Sequence, residues 1–125
     1  MATIDKEDIG GRQQTILQIL WDLGGEATIG QIIEVLNRDY GTKLTGQGIN
    51  TTMSQLMAKG LIKREKKIHQ SFVYEVTISR EAFQAREIRR IRNRSFNGSA
   101  AKMVAALIED GISQEEFDEI QKLIK

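Results

Sequence analysis

After Gly60 the hydrophobic period of this chain drops from helical to two, and few folds accommodate what lies on either side of that break. Before it, apolar residues recur at helical spacing in three runs. Ile16, Leu20 and Leu23 stand at i, i+4 and i+7, with Leu17 and Trp21 on a neighbouring stripe. Gly24-Gly25 ends this run, because glycine accepts the left-handed conformation that closes a helix. Thr28-Ile29-Gly30-Gln31 has capping-box spacing: the threonine oxygen can take an orphan N–H and the glutamine can reach back. Ile29, Ile32, Ile33 and Leu36 form the apolar face of the second helix, which closes at Tyr40-Gly41. A third helix begins near Thr45 to Gln47; Ile49, Met53, Leu56 and Met57 point into a core, and Gly60 is its C-cap.

Beyond Gly60, Leu61 to Lys67 is a short mixed segment, and Phe72, Tyr74 and Val76 alternate with Val73, Glu75 and Thr77. Ile68-His69-Gln70-Ser71 between them reads as a polar loop, so the two segments form a β-hairpin. Three helices followed by a hairpin is the order of a winged helix. The expected fold is mainly α with a small β-hairpin wing: a winged helix-turn-helix over residues 1–78 and a helical segment over 79–125. Met1 to Gly11 reads as a loose leader.

Ser79 is the expected N-cap of a fourth helix, with Glu81 in its first turn and Phe83, Ile88 and Ile91 as its apolar positions. Asn97-Gly98 interrupts it. Ser99 to Asp110 forms another helix, with Met103, Val104, Leu107 and Ile108 apolar, and Gly111 stops it. Ser113-Gln114-Glu115-Glu116 is a capping box for the last helix, whose stripe is Phe117, Ile120, Leu123 and Ile124. Three short helices are marginal as an independent core, and an identical subunit is the simplest cover for their stripes. The residues expected at a dimer interface are Ile88, Ile91, Met103, Val104, Leu107, Ile108, Phe117, Ile120 and Leu123.

Composition narrows the function classes. The chain has no cysteine, which excludes disulfides and thiolate metal sites, and His69 is its only histidine, which excludes a multi-histidine metal site. The glycines follow no strand in a phosphate-cradling pattern, and the carboxylates sit at helix starts and on solvated faces. No cofactor and no enzymatic activity are expected. The N-terminus has no apolar run of a signal peptide, and no stretch approaches the roughly 20 apolar residues of a membrane span. A cytoplasmic protein without a membrane partner is expected.

The signs of a partner point to nucleic acid. The polar face of the third helix carries Gln47, Asn50, Thr51, Ser54 and Gln55, side chains that can bond base edges or phosphates. Such a face on an isolated helix is more often simply solvated; the segment after it shifts the reading. There, Lys59, Lys63, Arg64, Lys66 and Lys67 are opposed only by Glu65. Lysines also guard edge strands against aggregation, but beside a polar helix they meet phosphates. The net charge of +1 hides a basic front and an acidic tail: Arg86, Arg89, Arg90, Arg92 and Arg94 crowd the fourth helix, and Glu109, Asp110, Glu115, Glu116, Asp118 and Glu119 follow. Pairing of those arginines with the tail of a second subunit is the favoured reading, phosphate contact the other. The expected base contacts are Asn50, Thr51, Ser54 and Gln55, and the expected backbone contacts are Gln47, Lys63, Lys66, Lys67 and His69. A winged-helix module that binds protein and no DNA is the alternative.

From about Arg12 to Lys125 the chain resembles the penicillinase-repressor family, of the BlaI, MecI and CopY type. The resemblance rests on Ile19-Leu20-Trp21, on Ile49-Asn50-Thr51 with Leu56-Met57-Ala58-Lys59-Gly60-Leu61-Ile62, and on Phe72-Val73-Tyr74. Phe96-Asn97-Gly98-Ser99 and Ile112-Ser113-Gln114-Glu115-Glu116 are also similar. It implies a winged helix-turn-helix repressor that dimerises through C-terminal helices and binds inverted repeats in double-stranded operator DNA. It also implies a regulatory protease or sensor as a further partner, since several members are inactivated by cleavage of an Asn-Phe bond in the dimerisation segment. The matching place here is near Ala106-Leu107, so that bond is not kept. The cysteine-rich copper motif of other members has no counterpart. Thr51 matches a family-typical threonine, Gly48 stands where another threonine is common, and Gln55 stands where an arginine is common. Trp21 matches a family position whose plain reading is core packing.

Overall fold

The computed structural model describes residues 10–124, except the side chains of Lys66 and Ile68. The expected leader therefore lies outside the described residues up to Ile9, and Gly11 already belongs to the first helix. The elements are α1 (Gly11–Asp22), β1 (Glu26–Thr28), α2 (Ile29–Asp39), α3 (Gly46–Ala58), β2 (Ile62–Ile68), β3 (Ser71–Val76), α4 (Arg80–Ser95), α5 (Ala100–Asp110) and α6 (Gln114–Leu123). They divide into two units, the first ending at Ala82 and the second beginning at Phe83.

The first unit has a closed apolar core. Ile16, Leu17, Ile19 and Leu20 of α1 are buried, with Ile32 and Leu36 of α2 and Ile49, Met53 and Leu56 of α3. Removing one such side chain, as in Leu20→Ala, costs about 2–5 kcal/mol because the cavity only partly collapses. Leu23, expected on the α1 stripe, is instead 41% exposed. The helix has ended at Asp22, so the i+7 position no longer faces inward, and Ile19 is buried in its place. Helix α2 starts as its sequence dictates: Thr28 Oγ1 accepts from the Gln31 amide at 3.2 Å, and Gln31 Oε1 accepts from the Thr28 amide at 2.8 Å. Helix α3 ends in a Schellman turn, with Leu61 N–H on the Leu56 carbonyl and Gly60 N–H on that of Met57. Gly60 has φ +73°, which a side chain would strain, and the buried Leu56 and Leu61 close the turn apolarly.

The expected hairpin is part of a three-stranded antiparallel sheet of order β1-β3-β2. The extra strand, β1, pairs Ala27 with Tyr74. The polar loop contracts to a two-residue turn, since Ile68 and Ser71 pair with each other. His69 and Gln70 both have positive φ, 50° and 72°, as a tight hairpin turn matching the strand twist requires. Val73 and Tyr74 are both buried, so the simple alternation does not describe burial along β3. Neighbouring strand residues face opposite ways, and the middle of this central strand is therefore covered on both sides. The register also shifts between Arg64, opposite Tyr74, and Lys66, opposite Val73; Glu65 is the extra residue of a β-bulge.

In the second unit the helix caps follow the sequence. Ser99 Oγ accepts from the Lys102 amide at 3.0 Å and Ser113 Oγ from the Glu116 amide at 3.1 Å. Only half of the expected box at Ser113 forms, because the Glu116 carboxylate meets the Ser113 hydroxyl at 3.4 Å, not its backbone amide. Phe83 is buried, whereas α5 and α6 bury no residue.

Candidate nucleic-acid interface

The burial of Ile49, Met53 and Leu56 fixes the rotation of α3, and that rotation sends its polar residues outward. Gln47, Asn50, Thr51, Ser54 and Gln55 are all exposed. Spacings of three and four place Gln47, Asn50, Thr51 and Ser54 on one strip opposite the core. Such a strip can present two amides and two hydroxyls to base edges.

The turn that delivers α3 is held by a residue the sequence reading did not single out. Asn37 Oδ1 accepts from the Leu44 amide at 2.9 Å and the Thr42 hydroxyl at 2.6 Å, and its Nδ2 donates to the Leu44 carbonyl at 3.1 Å. One side chain on α2 thus ties down the stretch leading into the N-terminus of α3. A second tie runs from α1. Gln13 Nε2 donates to Gln55 Oε1 at 2.8 Å, and Lys59 Nζ donates to Gln13 Oε1 at 2.6 Å. Gln55 is therefore engaged by α1, unlike the other four polar residues of α3.

The cations of the hairpin divide by partner. Lys63 Nζ lies 2.7 Å from Glu65 Oε1, and this hydrogen bond, with the nearby negative charge of Glu65 and then Glu75, raises the lysine pKa. Arg64 and Lys67 stand over the Phe72 ring, at 4.5 and 4.8 Å from its centroid. His69 is exposed in the turn, and the Lys66 side chain lies outside the described residues.

Away from this face, Trp21 does more than fill the core. It is half-buried, its indole N–H donates to the Ile78 carbonyl at 2.9 Å, and Arg80 lies over its ring while bonding Asp22 at 2.6 Å. Arg90 pairs with Glu87 on its own helix. The residues expected at a dimer interface are exposed in the single chain, apart from the half-buried Met103. Among the described residues no group of acidic or histidine side chains is arranged to hold a metal, and no helix is long and apolar enough to cross a membrane.

A helix-turn-helix with an exposed polar strip, followed by a basic hairpin, defines a winged-helix transcriptional regulator, not an enzyme. The profile of the family described as Penicillinase repressor matches residues 9–125, and the chain belongs to that family. No curated protein sequence matches it. Solved structures of similar fold include RosR of H. salinarum, with TM-score 0.56 and 16% identity over 96% of this chain and 94% of that one. The DNA binding domain of the repressor BlaI has TM-score 0.51 and 18% identity over 64% of this chain and 93% of its own. The organohalide sensing regulator RdhR, in a form bound to 2,4-dichlorophenol, has TM-score 0.50 and 21% identity over 96% of this chain and 63% of that one. At these identities the likeness establishes the fold alone.

Proposed function

We propose that this DNA-binding repressor acts in the cytoplasm as a homodimer on a palindromic operator and represses by occluding the promoter. The observation that carries the DNA reading is the outward strip of α3 beside the basic hairpin. Asn50, Thr51 and Ser54 read base edges; Gln55 joins them by giving up Gln13. Gln47, Lys66, Lys67 and His69 hold the phosphate backbone, and Lys63 contributes there only against the pull of Glu65. The dimer reading rests on the apolar side chains exposed along α4, α5 and α6, among them Ile88, Leu107, Phe117 and Leu123. Two-fold symmetry of such a dimer matches half-sites spaced by about one helical turn or a multiple of it. Repression ends with an event that weakens the dimer, and the family supplies a regulatory protease or sensor as the partner class. The bond near Ala106-Leu107 sits within α5, so cleavage there requires that helix to open.

The test is a titration of the purified protein on the DNA upstream of its own coding sequence and on a scrambled duplex, at two salt concentrations. A large preference for the native fragment with steep salt dependence is expected. Equal, weak binding to both, together with no sequence enriched from random DNA, would favour the protein-interaction module.

A further inference from the structure

Between α3 and the hairpin lies a groove of about 410 Å³ whose walls include Asn50 and Ser54 on one side and Arg64, Phe72 and Tyr74 on the other. In a regular strand, residues 64 and 67 would face opposite ways, because the side-chain period is two. The bulge at Glu65 removes one residue from that count. Arg64 pairs with Tyr74 and Lys67 with Phe72, and these two partners are themselves two residues apart on β3. Both cations therefore fall on the face of the sheet that carries Phe72.

The ring holds them there. Phe72 is 37% exposed, and its two cationic neighbours stand over the ring. Neither Arg64 nor Lys67 meets a carboxylate among the described residues, whereas Lys63, on the other face, is held by Glu65. The bulge thus sorts the hairpin cations. One is paired with the bulge residue itself, and two are left without a carboxylate over a single ring, Arg64 of them lining the groove beside the base-reading strip.

We propose that this groove seats one strand of the duplex, with Arg64 and Lys67 as its phosphate-binding pair and Phe72 as the positioning residue that holds both. The inference rests on the DNA-binding reading above and adds Arg64 and Phe72 to its contact set. The ring quadrupole attracts both cations and holds each in place without a carboxylate, so both keep their charge for a phosphate. Because the contact is to backbone, it strengthens binding to every sequence.

The experiment compares wild type, Arg64→Ala with Lys67→Ala, Lys63→Ala, Phe72→Leu and Phe72→Tyr on the native upstream fragment and on a scrambled duplex across a salt series. Each phosphate neutralised contributes a slope of about 0.9 in log affinity against log salt, so the double variant should lose about 1.8. Its deficit relative to wild type should shrink about twelvefold between 50 and 200 mM salt, equally on both duplexes. Lys63→Ala should flatten the slope by much less than the double variant, because Glu65 competes with phosphate for that lysine. Phe72→Leu should flatten it partly and Phe72→Tyr restore it, whereas a merely structural Phe72 would lower the melting temperature and leave the slope alone. A double variant that melts like wild type and keeps the full slope overturns the inference while the DNA reading stands. A wild-type protein that binds neither duplex overturns that reading and this one with it.

Discussion

Asn37→Ala should loosen the stretch that aims α3 without touching any residue proposed to contact DNA. The side chain makes three hydrogen bonds, two accepted from the Leu44 amide and the Thr42 hydroxyl and one donated to the Leu44 carbonyl. A protein hydrogen bond contributes about 0.5–1.5 kcal/mol net of its water competitors. All three here are exposed, which favours the low end, so the expected cost is about 1–2 kcal/mol. For a unit of this size that corresponds to a fall in Tm of roughly 4–16 °C. Asn37→Asp keeps both acceptor bonds, loses the donor and turns a carboxylate toward the Leu44 carbonyl; it should fall between wild type and alanine. Urea unfolding followed by circular dichroism gives the stability, and amide exchange at Leu44 reports the clamp locally. Specific DNA affinity should drop with the clamp, since the N-terminus of α3 must then be ordered on binding. If Asn37→Ala melts with wild type and the Leu44 amide exchanges no faster, the clamp carries no energy and the reasoning fails. An aspartate variant less stable than alanine would equally refute the account built on the two accepted bonds.

Other substitutions probe the remaining assignments. Thr51→Ala or Asn50→Ala should weaken specific binding by about 1–3 kcal/mol and leave non-specific binding nearly unchanged, as competition with scrambled DNA would reveal; equal losses would remove them from base reading. Leu107→Asp or Leu123→Asp should give monomers by sedimentation, and an unaltered dimer would place the interface elsewhere. Gly48→Ala should raise stability by up to about 1 kcal/mol through helix propensity. The new Cβ would meet the Leu44 Cδ2 atom at 3.0 Å, the far end of a flexible side chain. A lowered Tm would mean that Leu44 cannot yield.

What the sequence made legible was local. Thr28 with Gln31, Ser79 with Ala82 and Gly60 after α3 act within a few residues, and their geometry follows from spacing alone. The outward strip of α3 was legible because burying Ile49, Met53 and Leu56 leaves only one rotation of the helix. The features that escaped depend on distant chain. Three residues of β1 are too few to show a period, and they become a strand only because β3 offers an edge. Gln13 reaches Gln55 across 42 residues and receives Lys59 across 46, so no window along the chain contains both ends of either contact. The bulge at Glu65 is a property of register. Without it Arg64 and Lys67 would face opposite ways; with it both stand over the Phe72 ring. Leu23 failed for the opposite reason: the stripe was extended one residue past the end of the helix.

The two units differ in how far a single chain completes them, and that difference has a functional consequence. The first unit closes a core from α1, α2, α3 and the sheet and needs no second copy to bury it. The second leaves Ile88, Ile91, Val104, Leu107, Ile108, Phe117, Ile120 and Leu123 exposed on three helices. On the proposed reading, dimerisation therefore adds nothing to the α3 strip of either subunit. It converts the second half-site contact into an intramolecular event. Joining two such contacts raises overall affinity by about 10²–10⁴ without any new contact to DNA. Anything that separates the second units then returns the protein to half-site binding, without that enhancement. The reading surface itself need not change. This makes the weakly buried helices the natural point of control, and it separates two classes of variant by assay. Changes in α3 or the hairpin should alter binding at every protein concentration. Changes in α5 or α6 should leave the half-site affinity of the monomer intact and abolish only its enhancement on the full operator.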